Sequence, residues 1–362
     1  MKAPGIRLAL LGLSVLGCAR SGGKGKAVEG PCSVRARVDH DVVFKKECSP
    51  YLQPPGGLDV IDGATLTIEA GVEIRFGDGD WLEVGAAGQP GRLIAKGTAE
   101  EPIVLTTSSP ETPSTWLGVW FHSGTLSGSE LSHAVIRRAG GQNNHSKPNL
   151  LMGCVTMTGV QEQVLRVSDV RVEGCEHGGF RITNSQPALG PLSVADAPDG
   201  LVLDAASVGS IPAGVVYERV ARNVITGGAL LETARWLPQP VPFVVTGDIE
   251  VGGVAGPLLL LAPGLTLEFD YGKGLSIAST EPGTLLALGV AGNPVVLSAH
   301  DADRPWRGLS FGERAGVTSR VEYTEIRRTG QGPAVRMCSP PERVAMSHVR
   351  FAETEVDVER CP

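Results

Sequence analysis

The chain is 362 residues long and carries 39 Asp and Glu against 32 Lys and Arg, a formal charge of −7. That acidic balance excludes the basic footprint of a nucleic-acid binder. The 48 Gly and 26 Pro cut the chain into short runs and leave little room for long helices.

The N-terminus reads as a targeting segment. Lys2 and Arg7 flank the start of a short apolar run, Leu8 to Leu16. It is too short for a membrane helix, which needs about 20 apolar residues. The run closes Val15-Leu16-Gly17-Cys18. This junction resembles the lipobox of bacterial lipoproteins, with Leu16 the less usual residue at its place. The resemblance implies a diacylglyceryl group on Cys18, cleavage after Gly17 and acylation of the new amine. Each buried CH₂ of such chains adds about 0.8 kcal/mol of membrane affinity. An ordinary secretory signal cut nearby is the alternative. Ala19 stands where an Asp would mark inner-membrane retention, so the resemblance implies the outer membrane. Residues 18–30 are Gly- and Lys-rich and read as a lipidated, flexible tether. Losing Lys2 and Arg7 with the signal, residues 1–17, takes the charge from −7 to −9.

Six cysteines remain after Cys18: Cys32, Cys48, Cys154, Cys175, Cys338 and Cys361. An even set suits an oxidising compartment. Proximity in sequence favours Cys32–Cys48, Cys154–Cys175 and Cys338–Cys361 among the possible pairings. No CxxC or HxxxH spacing suggests a zinc site.

An internal duplication follows. ATLTIEAGVEIRF (64–76) matches PLLLLAPGLTLEF (257–269), and GRLIAKGTAEEPIVL (91–105) matches GTLLALGVAGNPVVL (283–297). WLGVWF and AVIRRAG recur as WRGLSF and TEIRRTG. The offset drifts from 193 to 190, and only between these segments, so the segments are strands and the gaps are turns. Matching apolar positions alternate: Val72, Ile74 and Phe76 align with Leu265, Leu267 and Phe269. Period two is the mark of a strand with one inward face. Apolar segments recur about every twenty-odd residues, the length of one solenoid coil of short strands, and Asn-Gly hairpin turns are missing.

The wording Thr65-Leu66-Thr67-Ile68-Glu69-Ala70-Gly71-Val72, then Leu93-Ile94-Ala95-Lys96-Gly97-Thr98, then Trp116-Leu117-Gly118-Val119, resembles right-handed parallel β-helix domains of bacterial surface proteins. The expected fold is therefore all-β, a right-handed parallel β-helix, internally duplicated. We expect an N-terminal cap at 31–57, a first module at 58–206, an irregular proline-rich linker at 207–242 and a second module at 243–362. An irregular bulge in one continuous solenoid is the alternative for the linker.

Site residues are harder to nominate. β-Helix lyases and hydrolases need acidic groups for calcium or proton transfer. The acidic pairs here are Asp78 with Asp80 and Asp301 with Asp303. All four sit where turns are expected, the usual place of a solvated Asp. The seven His form no spacing motif, so no catalytic residue is assigned. Arg137-Arg138 recurs as Arg327-Arg328, which reads as structure. Two features break the duplication. One is the insertion at 143–150, with Asn144 and His145. The other is an outward strip of Arg75, Lys96 and Trp120, expected on one face and suited to an anionic sugar chain. Against a long sugar cleft stands the low aromatic content, five Trp, four Tyr and eight Phe.

The resulting expectation is a non-catalytic, outer-membrane-anchored envelope lipoprotein that presents a β-helix surface to a glycan or an envelope protein. It would need no cofactor, Ca²⁺ being the one candidate, and no nucleic acid. A polysaccharide lyase or glycoside hydrolase, and a structural subunit of a surface complex, are the alternatives.

Overall fold

Thr65–Ile68 and Glu73–Phe76 alternate half-exposed and buried residues, with Leu66, Ile68, Ile74 and Phe76 inside. One face of each strand is thus apolar and cannot be covered by its own coil. The computed structural model describes residues 32–86, 88–109, 115–141, 152–330 and 332–361. In it, each coil is covered by the next through parallel pairing. Val60 pairs with Val84, Val84 with Phe121, Phe121 with Met157 and Met157 with Ile182. The column continues through Leu203, Ile225, Val245 and Phe269. The fold is an all-β parallel β-helix. Cys18, the signal and tether (1–30), Asn144 and His145 lie outside the described residues.

Of the segment 31–57, expected as a cap, residues 37–52 supply the first coil. Arg37–Val38, Val42–Phe44 and Tyr51–Leu52 pair with Leu58–Val60, Thr65–Ile68 and Glu73–Phe76. Phe44 stacks on Tyr51 at 4.4 Å, and Cys32–Cys48 ties the segment down. The bridges Cys154–Cys175 and Cys338–Cys361 are also formed. Closing a loop the size of Cys154–Cys175 stabilises by about 3 kcal/mol in the chain-entropy account.

The stretch 207–242 departs from the linker reading. It carries the strands Val216–Glu218, Asn223–Ile225, Gly228–Leu230 and Ala234–Trp236. A 13-stranded sheet passes through it, from Leu201–Leu203 to Asn223–Ile225 to Phe243–Val245. Pro212, Pro238, Pro240 and Pro242 fall between strands, where a missing N–H breaks no ladder. Asn223 is fully buried, accepting from the Leu201 amide (2.9 Å) and donating to the Tyr217 hydroxyl (3.1 Å). Three-residue strands and a buried amide hide the alternation from a pattern search.

The two copies occupy different faces. Glu73–Phe76 and Ile103–Thr107 lie in an 11-stranded sheet, but their counterparts Thr266–Phe269 and Val295–Ala299 lie in the 13-stranded one. Trp81–Val84 and Gly118–Phe121 lie in the 13-stranded sheet, and their counterparts Gly274–Ile277 and Gly308–Phe311 in a separate 6-stranded sheet. The second copy is displaced by one face around the solenoid.

Local packing survives that displacement. Trp116 stacks on Phe76 (4.2 Å) and donates to the Arg137 carbonyl (2.9 Å). Trp306 stacks on Phe269 (4.3 Å) and donates to the Arg327 carbonyl (2.8 Å). The following residues, Arg138 and Arg328, both turn the corner at positive φ. The Arg-Arg pairs are therefore a corner device. Trp116→Phe should keep the stack but leave the part-buried Arg137 carbonyl without its donor, at about 1 kcal/mol. Trp306→Phe should cost a similar amount, both read from urea midpoints.

Ion pairs lace the outer side of the 11-stranded sheet. Arg171 bonds Glu218 (2.9 Å) and Glu173, and Arg219 bonds Asp196 (2.5 Å). The Arg171 guanidinium holds Glu218 below the ordinary carboxylate range, and Arg219 does the same to Asp196. Folded values below the unfolded ones mean that this stabilisation is complete above the unfolded pKa. It is lost as pH falls through the depressed values. Urea midpoints should therefore drop below about pH 4, and Arg171→Gln should flatten that drop; Arg219 and Asp196 are exposed and Arg171, Glu173 and Glu218 half-buried, so salt should shrink the effect.

Candidate functional site

Residues two apart on a strand share a face, so Trp120 and His122 both point outward around the buried Phe121. Their rings lie 3.9 Å apart at 33°. One coil back, Glu83 pairs with Trp120 in the ladder and places Oε1 2.6 Å from His122 Nε2. Both side chains are largely buried, at 10% exposure for Glu83 and 15% for His122. One coil on, Trp120 pairs with Thr156, and its Nε1 donates to Thr158 Oγ1 at 3.3 Å.

The same row continues in both directions. Asp59 lies under Glu83 and accepts from Trp81 Nε1 at 2.7 Å. Gly57 sits at φ +79° with the Trp81 ring against it, so any Cβ would strike the indole. Thr156 pairs with Arg181 and Thr158 with Thr183. Arg181 is half-buried; desolvation lowers its pKa, with Asp199 opposing. Beside it is a cavity of about 80 Å³ that includes His177 and Asp199. The surface thus offers two indoles, carboxylates, threonine hydroxyls and one guanidinium along five coils. Counterparts of Glu83, Trp120 and His122 in the second copy are Ser276, Ser310 and Gly312.

The expected strip does not form. Arg75 belongs to the 11-stranded sheet, pairs with Leu52 and Thr106, and bonds Glu73 at 2.6 Å. Lys96 ends the strand Arg92–Lys96, pairs with Ser132 and meets Glu130 at 2.6 Å. Trp120 lies in the 13-stranded sheet. Spacings of 21 and 24 residues therefore carried the strip from one face to another rather than around a full coil. Loops of unequal length set the return, and the residue stacked on Glu83 is Trp120 itself.

Three of the four acidic turn residues, Asp78, Asp80 and Asp301, accept from backbone amides. Asp80 is buried and accepts from the amides of Gly56 (2.8 Å), Gly57 (3.2 Å) and Gly77 (3.0 Å). Asp78 accepts from Thr115, and Asp301 from Asp303 two residues on. Among the described residues no three His, Cys, Asp or Glu converge as metal ligands. Sequence reading missed Glu83 and His122. The available signal was that both break the duplication beside Trp120.

Residues 37–132 match the family model described as a pectate-lyase-like beta helix domain. That span includes Glu83, Trp120 and His122. No curated protein and no solved structure matches the chain.

His122→Ala should uncover one face of the Trp120 indole. The Trp120 emission, isolated by subtracting a Trp120→Phe background, should shift to the red and become more accessible to acrylamide.

Proposed function

We propose that this chain is a lipid-anchored envelope protein whose β-helix body binds a glycan on the outer face of the 13-stranded sheet, centred on Trp120. The observation that carries the reading is the half-buried indole, braced by His122 and set among hydroxyl, carboxylate and guanidinium groups. An aromatic face suits the apolar face of a sugar ring, and the polar groups suit its hydroxyls. Arg75 and Lys96 stand on other faces, which leaves the half-buried Arg181 as the cation beside the row. A hydroxyl-rich, neutral glycan fits the row better. The Val15-Leu16-Gly17-Cys18 junction supports anchoring through Cys18, and Ala19 supports the outer membrane.

A polysaccharide lyase or hydrolase is the second reading. It is favoured by the family-model match and by the Glu83–His122 contact, a close acid–base pair beside Trp120. The full chain, in mild detergent, should bind neutral polysaccharides without shortening them. Trp120→Ala should weaken binding tenfold or more, a loss of about 1.4 kcal/mol or greater. Shortened chains, or rising absorbance from unsaturated uronates, would move the assignment to the enzyme. Metabolic palmitate labelling should be lost in Cys18→Ser.

A further inference from the structure

The displacement between the copies leaves sheet ends in the middle of the body. The 11-stranded sheet stops at Val216–Glu218, the 5-stranded sheet starts at Ala234–Trp236, and the 6-stranded sheet starts at Gly228–Leu230. Two of these ends are backed by other chain. The 3₁₀ turn Val208–Ser210 lies under Ala234, where a Cβ on Gly209 would come within 3.1 Å of the Ala234 Cβ. Over Val216–Glu218, Gln239 bridges Tyr217 (3.5 Å) and the Pro212 carbonyl (3.0 Å).

Gly228–Leu230 is different. Among the described residues its one strand partner is Ile249–Val251. The Gly228 amide donates to Asp248 (2.8 Å) and the Leu230 carbonyl accepts from Gly252 (3.3 Å), both on that side. Backbone groups alternate in direction along a parallel strand, so the Ala229 N–H and C=O point the other way. Among the described residues no group pairs with them there. A Cβ built on Gly228 meets nothing within 4 Å, and Leu231 is 60% exposed. A groove of about 470 Å³ runs along this edge. Its walls carry Glu162, Asp204 and Glu232, and among the described residues no Lys or Arg lines it. Amides of Asn184 and Ser207 fix Asp204, and Gln186 fixes Glu232.

We propose that this groove docks an extended, lysine- or arginine-bearing segment of a partner protein, which adds as a strand to Gly228–Leu230. Unpaired edges invite such addition, and backbone bonds supply part of the affinity. The three carboxylates select a cationic strand over an acidic one. This surface is separate from the Trp120 row and does not depend on the glycan reading.

The probe is a blocked hexapeptide, acetyl-KVKVKV-amide, titrated against the full chain in mild detergent. It should bind at least about tenfold tighter than acetyl-EVEVEV-amide and should slow amide exchange at Ala229. Methylating all of its amide nitrogens keeps the charge but removes the donors, and should abolish binding. Replacing Glu162→Gln and Glu232→Gln together should weaken it about fivefold or more. Failure of the cationic peptide to bind would overturn the proposal. So would equal binding of the two peptides, binding that survives methylation, or unchanged exchange at Ala229 in the bound state.

Discussion

Each coil of this protein has an apolar interior rim and a row of unpaired amides, and only another coil in register satisfies both. Column partners such as Val60, Val84 and Phe121 bury apolar side chains while their backbones pair. A fully buried side chain of this size is worth about 1.5–3 kcal/mol, so register is held by many small terms at once. A one-residue slip would turn every one of them outward. Everything else in the structure is arranged around keeping that stack continuous.

That constraint explains why the middle of the chain is built as it is. The 13-stranded sheet continues through Asn223–Ile225 with a buried Asn in an inward position, its amide satisfied by Leu201 and Tyr217. Continuity there is bought by letting the other sheets stop and restart. The second copy then resumes one face further round, and its strands join sheets different from those of their counterparts. Duplicated packing units tolerate this because they are local: the Phe76–Trp116 and Phe269–Trp306 stacks need only one corner and one neighbouring coil. Outward residues do not tolerate it, since their neighbours come from whichever strands share the sheet.

Much of the interior was legible before any coordinates. Alternation at Val72, Ile74 and Phe76 gave an inward face, and the matching runs gave strand boundaries. Sequence proximity paired the cysteines as they stand in the structure. The outward chemistry was not legible. Arg75, Lys96 and Trp120 look equivalent when counted along the chain, yet they lie on strands whose register partners are Thr106, Ser132 and Thr156. Glu83 reaches His122 only because the loops between their strands return Trp120 above Glu83, and loop lengths carry no pattern from which that return can be read.

The all-β repeat, the inward columns, the recurrence of the paired Arg, and the likeness of the opening residues to lipoprotein signals were all readable along the chain. These are properties of short windows, where side-chain period and turn chemistry act directly. The face on which each copy lies, the Trp–Arg corner contacts, the meeting of Glu83, Trp120 and His122, and the open edge at Gly228–Leu230 emerge in three dimensions alone. Those depend on how many faces the chain crosses between one strand and its partner. In a solenoid that number is set by the sum of all intervening turns, not by any residue within a window.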